Sequence, residues 1–294
     1  MHDNISIIVP VYNEVEAIAD VLSGLRNCFP KATIIVVDDG SADGSLAKID
    51  SSICQVVRHS DNRGYGAALK SGVREAKSDF IAFFDGDGQF DPNDLEAMVD
   101  AFMNNGCHAV FGKRMASSHV ILPRSVGKFF LKWLAKYLTR KHIPDLNCGM
   151  RVMRRDLFLR YQHIFPSGFS LSTTSTFVFL IRGYDVLFHP VTAKKRKGKS
   201  SVRLFRDGYN TLLLIIRLIA MFDPLRVFTP ISCLLIAVAI GYSGWEAYTR
   251  GLGIPVLGAV LGIGGLLMFF MGILCDQVSA IRLERYEPID EDKA

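Results

Sequence analysis

The stretch FIAFFDGDGQFDPND, residues 80–94, runs from an apolar segment of strand character into Asp85 and Asp87, and then into Asp91-Pro92 at the head of a helical pattern. Phe80, Ile81, Phe83 and Phe84 suit a buried strand. Asp91 followed by Pro92 suits an N-cap and first helical residue. Two further acidic clusters lie upstream, VPVYNE at 9–14 and VVDDGSADGS at 36–45, each again closing an apolar run.

Working outward, ISIIVPV (5–11), TIIVVDD (33–39), CQVVRH (54–59) and AVFGKR (109–114) read as further strands. Helical spacing over Glu14–Cys28, Gly66–Ala76 and Pro92–Asn104 separates them. Strand and helix in regular alternation predict an α/β fold with a mostly parallel sheet, whose ligands gather outside the carboxyl ends of the strands. Asn13 and Glu14 follow the first strand, Asp38 and Asp39 close the second, and Asp85 and Asp87 close the fourth, so the three clusters are expected to meet at one edge.

Asp85 and Asp87 stand two residues apart at a strand end, so both carboxylates are expected to point the same way. Hard oxygen donors of this kind, with Gln89 close by, can hold Mg²⁺ or Mn²⁺ while leaving positions open for phosphate. DGSADG lacks the glutamate that a calcium loop needs at its twelfth position, and GYGAAL (64–69) lacks the third glycine of a dinucleotide-binding turn. Neither carries an argument.

The chain has 294 residues, 49% hydrophobic, and a formal net charge of +5. Its apolar residues concentrate late, predicting a soluble domain over 1–200 and two membrane spans over 227–276, at Phe228–Ala247 and Ile254–Cys275. Between Phe228 and Cys275, Glu246 and the loop residue Arg250 are the only charged residues. A buried helical hairpin is the alternative. Arginine and lysine before the first span, with Arg282 and Arg285 after the second, are expected to place the soluble domain and the 277–294 tail in the cytoplasm.

KFFLKWLAKYL (128–138), within an expected interfacial helix at 125–139, sets an aromatic face against Lys128, Lys132 and Lys136. A helix packed on the core is the competing reading. Residues 201–226 again mix arginine with a broad apolar face, predicting a juxtamembrane amphipathic helix. Basic residues beside apolar segments suit an anionic membrane surface, and no nucleic-acid-binding signature accompanies them. The six cysteines form no CxxC pair and read as reduced thiols.

VPVYNE, VVDDGSADGS, NRGYGAALKSGVREAKSDFIAFFDGDGQFDPNDL, DLNCGMRVMRRDLF and KRKGKSS, taken in order over residues 4–226, resemble the family 2 glycosyltransferases. The similarity is strongest to the polyprenyl-phosphate branch, relatives of dolichyl-phosphate mannose synthase and of bacterial undecaprenyl-phosphate glycosyltransferases. The resemblance implies a GT-A fold with a nucleotide-sugar half (1–112) and an acceptor half (113–200), a divalent metal, and a membrane-bound homo-oligomer, with a tetramer among the expected forms. It implies that Pro10, Tyr12 and Glu14 line the nucleotide pocket and that Asp39 contacts the base or ribose. Asp85 would face the donor, and Asp87 with Gln89 would bind the metal bridging the diphosphate. Arg114, Arg124, Arg196 and Ser200 match positions that clamp a lipid phosphate.

Where inverting relatives with hydroxyl acceptors carry an acidic base, this chain reads FSLSTTSTFVF (169–179), and QxxRW is absent. The departure opposes a processive polysaccharide synthase. It fits a phosphate acceptor, which is largely anionic at neutral pH with a second pKa of about 6 and needs no strong base. Asp145 is the nearest candidate for a base or orienting group, with a turn-shaping role the alternative. The function expected is transfer of a hexose-type sugar from a UDP- or GDP-sugar to polyprenyl phosphate at the cytoplasmic membrane face. Transfer to another lipid and a non-catalytic nucleotide-sugar-binding role are the competing readings.

Overall fold

A computed structural model of the chain describes residues 4–115, 143–168, 170–194, 223–251, 253 and 255–284. The expected interfacial helix at 125–139, nearly all of the juxtamembrane helix, Arg124, Arg196 and Ser200 lie outside those residues. The chain divides into two compact units, Met1–Asp207 and Gly208–Ala294.

The first unit is built on a seven-stranded sheet in the order β3-β2-β1-β4-β6-β5-β7. Its strands are β1 (Ile5–Val11), β2 (Thr33–Asp38), β3 (Gln55–Arg58), β4 (Phe80–Phe83), β5 (Ala109–Arg114), β6 (Arg151–Arg154) and β7 (Val186–Val191). Every residue of β1 is buried, as a central parallel strand covered on both faces requires. Its isoleucines each contribute about 1.5–3 kcal/mol relative to exposure. β6 alone runs antiparallel to both neighbours, β4 and β5. The reversal leaves β5 pointing with β4, so Arg114 emerges at the same sheet edge as Asp85.

Helices α1 (Ile18–Cys28), α2 (Tyr65–Glu75) and α3 (Pro92–Asn105) fall on three of the expected segments. Asp91 caps α3 by accepting a hydrogen bond from the Asn93 amide. α1 starts four residues later than the helical spacing from Glu14 predicts. Asn13 takes φ 56°, and the amides of Asn13, Glu14 and Val15 donate to Ser41, Ser45 and Asp43. DGSADG is therefore the strap that holds the YNE turn open. Asp43 accepts from both the amide and the hydroxyl of Ser45, a local turn role.

β4 ends at Phe83, so Asp85 and Asp87 lie in the turn beyond it. Strand alternation does not set their directions, which corrects the expectation drawn from their spacing. Gly88 at φ 70° turns the chain instead. Residues 151–191, read only as motif from sequence, form β6, α4 (Arg155–Tyr161), α5 (Leu171–Ile181) and β7.

The second unit pairs α6 (Leu225–Arg250) with α7 (Val256–Glu284), both longer than the spans read from sequence. Their most apolar windows have mean hydropathy 1.8 and 2.3 and are only 11% and 17% buried, so the apolar residues face outward. That disfavours a hairpin buried in a soluble core. Gly258, Gly265, Gly272 and Ser279 recur every seven residues of α7. A Cβ at Gly265 would stand 2.7 Å from Ile236 Cγ1, and one at Gly272 would stand 2.7 Å from Phe228 Cβ. Buried Ser232 on α6 donates to the Gly265 carbonyl at 2.8 Å. Gly258 and Gly265 thus serve the hairpin itself, whereas Gly264 faces open space.

Candidate active site

The acidic clusters meet where expected, at the carboxyl edge of β2, β1 and β4. The β1–β4 ladder stops at Ile8–Phe83, so Pro10, which has no N–H to donate, sits beyond its end. Tyr12 is exposed at 42%, while Glu14 is buried. Tyr12, with exposed Asn13, is thereby open to a ligand.

Asp39 is buried and held by three donors. Its Oδ1 accepts from His59 Nδ1 at 2.6 Å and the Arg63 amide at 3.0 Å, and Oδ2 accepts from the Gly64 amide at 2.8 Å. The other nitrogen of His59 meets Ser71 Oγ on α2 at 2.9 Å. Oδ2 accepts one described bond and retains a lone pair for a ligand donor. Asp38 is fully buried, with Oδ1 on the Ser41 amide and Oδ2 facing Arg58 Nε at 3.8 Å.

Asp85 is fixed from two sides. The Tyr65 hydroxyl donates to its Oδ1 at 2.8 Å. Burial, reinforced by the Asp85 charge, keeps the Tyr65 phenol well above its ordinary pKa, so it remains a donor. On the other side, the Gly149 backbone approaches so closely that an added Cβ would stand 2.8 Å from Asp85 Oδ1 and closer still to Oδ2. Asp87 accepts from both the backbone amide and the side-chain amide of Gln89. That leaves Gln89 Oε1 as the oxygen it can offer a cation. Among the described residues no cluster of three His, Cys, Asp or Glu side chains could cage a metal alone. An all-oxygen set of Asp87 and Gln89 with Asp85 adjacent fits a hard divalent ion that takes its remaining ligands from phosphate and water.

The Gln89 carbonyl accepts from the Lys194 amide at 2.8 Å, and Lys194 Nζ reaches Asp91 at 3.2 Å. Arg196 follows two residues on in sequence.

At the end of β5, Arg114 forks onto Asp145, Nε to Oδ2 at 2.8 Å and Nη2 to Oδ1 at 3.0 Å. The Asn147 amide adds a bond to Oδ1 at 2.9 Å. Burial acts to raise the Asp145 pKa, but the hydrogen bonds and charge of Arg114 outweigh it, and the carboxyl titrates below its usual range. A carboxylate so held is a weak base and a firm orienting group for Arg114.

Among the described residues Arg151 is the largest fully buried side chain. It donates to the carbonyls of Cys148 and Leu146 and to Ser175 Oγ and Thr176 Oγ1, and its guanidinium lies 4.2 Å from the Phe111 ring centre. Burial pulls its pKa down to about 10, with Asp145 and Asp85 among the charges working the other way.

Tyr65, His59, Gly149 and Arg151 were not singled out from sequence. Tyr65 sat in GYGAAL, set aside as an incomplete dinucleotide turn, and Gly149 and Arg151 sat inside DLNCGMRVMRRDLF. The Gly64-Tyr65 step immediately ahead of the helical spacing from Gly66 was the available signal for Tyr65.

Residues 6–161 match Glycosyl transferase family 2, and residues 223–281 match the GtrB C-terminal hairpin. The chain belongs to glycosyl transferase family 2. A glycosyltransferase of Haloferax volcanii, AglJ, is 27% identical over 98% of both chains. The dolichyl-phosphate hexose transferase of that organism is 26% identical over 70% of this chain and 90% of its own. The undecaprenyl-phosphate mannosyltransferase of Micrococcus luteus is 25% identical over 66% and 86%. Among solved structures, glucosyl-3-phosphoglycerate synthase of Mycobacterium tuberculosis, in complex with Mn²⁺, UDP and phosphoglyceric acid, superposes with TM-score 0.59 at 18% identity, covering 74% of this chain and 77% of that one. At that identity the likeness establishes the GT-A-like fold. The protein is a family 2 glycosyltransferase with a C-terminal helical hairpin.

Proposed function

We propose that this glycosyltransferase moves a hexose-type sugar from a UDP- or GDP-sugar to a polyprenyl phosphate, undecaprenyl or dolichyl, at the cytoplasmic face of the inner membrane. The observation that carries the acceptor assignment is α5. Where a hydroxyl acceptor calls for a base, α5 offers five consecutive buried hydroxyl residues, Ser172–Thr176, and no carboxylate. The hydroxyls of Thr173, Thr174, Ser175 and Thr176 serve Asn147, Arg151 and the helix itself. A phosphate acceptor brings its own negative oxygen and needs no proton removed. The relatives named for polyprenyl-phosphate acceptors support the same reading.

In this reading Tyr12, Pro10, Glu14 and Asp39 shape the nucleotide pocket, and Asp85 orients the donor. Asp87 and Gln89 would hold Mg²⁺ or Mn²⁺, which supplies charge neutralisation at the departing diphosphate. Arg114, oriented by Asp145, clamps the acceptor phosphate in bidentate fashion together with Arg124, Arg196 and Ser200. The phosphate oxygen attacks the anomeric carbon as the sugar–diphosphate bond breaks, with inversion and with positioning as the main contribution.

Two membrane-crossing helices return the chain to the side it came from, and the arginine and lysine flanking the spans support the cytoplasm as that side. The enzyme is expected to form a homo-oligomer, tetramer included, which light scattering in detergent would read. Transfer of labelled sugar to polyprenyl phosphate, measured beside a neutral polyprenol, tests the acceptor assignment. Labelling of the phosphate alone supports it, and labelling of the alcohol overturns it.

A further inference from the structure

One short loop touches both halves of the site. Residues 145–150 carry Asp145, which forks onto Arg114. They also carry Gly149, whose backbone packs against the Asp85 carboxylate. The loop lies close on β5 as well, since a Cβ at Gly112 would meet Cys148 Sγ at 2.6 Å and the Met150 carbonyl at 3.2 Å. A loop in this place fixes the distance between donor-side Asp85 and acceptor-side Arg114.

What fastens the loop is Arg151. Its Nε and Nη2 take the carbonyls of Cys148 and Leu146, at 3.0 and 3.3 Å, from within the loop. Its Nη1 reaches across to Ser175 Oγ at 3.1 Å and Thr176 Oγ1 at 2.9 Å on α5. Thr173 adds a second tie from α5, donating to Asn147 Oδ1 at 2.6 Å. No described ion pair includes Arg151, although it is wholly buried. A buried guanidinium bonded only to carbonyls and hydroxyls is a costly way to fill space, since its desolvation is not offset by a paired charge. Its planar fork is well suited to pinning two carbonyls and a helix at once.

We propose that Arg151 is a positioning residue: by tying the 145–150 loop to the hydroxyl face of α5 it holds Asp85 and the Arg114–Asp145 pair in register, so that donor and acceptor meet in line. The choice of substrates for the assay rests on the function proposed above; the positioning role does not.

The test uses the full-length enzyme in detergent. Ser175→Ala/Thr176→Val removes the α5 anchor and leaves the Arg151 charge, while Thr176→Ser keeps an acceptor for Nη1. Arg151→Lys keeps the charge and loses the fork. Two quantities are read: kcat and both KM values, and the rate at which iodoacetamide labels Cys148, which is fully buried on the loop. The double variant and Arg151→Lys are expected to lower kcat by at least about tenfold with both KM values within about twofold, as loss of alignment rather than of binding predicts. Cys148 should label at least about tenfold faster, by local opening of the loop, with thermal unfolding still cooperative. Thr176→Ser should restore both readings to near wild type. Cys148 protected as in wild type, or kcat unchanged, overturns the proposal. A rise in the acceptor KM alone also overturns it, because Arg151 would then be binding phosphate. If the wild-type enzyme transfers nothing to polyprenyl phosphate, the acceptor assignment fails, and the Cys148 rate still decides the role of Arg151.

Discussion

Gly149 and Asp85 are packed so that no side chain fits between them: a Cβ on Gly149 would stand 2.9 Å from Asp85 Cγ and 2.8 Å from Oδ1. Tyr65 holds the same Oδ1 at 2.8 Å from the other side. Gly149→Ala therefore displaces the carboxylate proposed to face the donor. We expect kcat to fall by about a hundredfold, the scale of a misplacement near 1 Å, with the melting temperature little changed. A variant with wild-type kcat would show that Asp85 does not depend on this contact.

Asp87 is the carboxylate to which Gln89 donates twice. Asp87→Asn keeps the size and loses the charge proposed to hold a divalent ion, and should abolish transfer while leaving thermal unfolding intact. Near-normal turnover in Mg²⁺ or Mn²⁺ would remove Asp87 from the metal site.

The Arg114–Asp145 fork predicts a definite pH dependence. Asp145 has a depressed folded pKa, so its contribution to stability is present above the unfolded value of about 3.9 and is lost as pH falls through the lower folded value. The stability difference between wild type and Asp145→Asn should be constant from neutral pH to about pH 5 and should close below about pH 4. Urea unfolding at a series of pH values measures it; a difference that widens on acidification would contradict the assignment.

In the hairpin, Gly265 and Gly241 differ in surroundings though both lie in apolar helices. A Cβ at Gly265 would press on Ile236 at 2.7 Å and on the Ser232 carbonyl at 3.2 Å, whereas Gly241 has nothing within 4 Å. Gly265→Val should lower thermal stability in detergent by an overpacking cost of about 1–3 kcal/mol, and Gly241→Val should not. Equal effects would mean that the helices do not pack along this seam.

Much of the fold over residues 1–112 was legible because its elements are local. Uninterrupted apolar runs such as ISIIVPV and TIIVVD become buried parallel strands, and Asp91-Pro92 caps α3 as its chemistry requires. What escaped was set by contacts distant in sequence. β6 is short, and its antiparallel course follows from pairing with β4 and β5 rather than from its composition. Asn13 breaks the start of α1 because Ser41, Asp43 and Ser45 take up the amides of this turn. Arg151 looks like any arginine of a basic stretch until α5 supplies its hydroxyl partners. The run STTST drew notice for the carboxylate it lacks, and its bonds to Asn147 and Arg151 appear only in three dimensions.

The central claim is most directly tested by offering the purified full-length enzyme a panel of UDP- and GDP-sugars with polyprenyl phosphate, with Mg²⁺ or Mn²⁺ and again with EDTA. Labelled polyprenyl-phosphate sugar formed from one donor and lost with EDTA is the result expected. Binding of a nucleotide sugar without labelled lipid from any donor would contradict it.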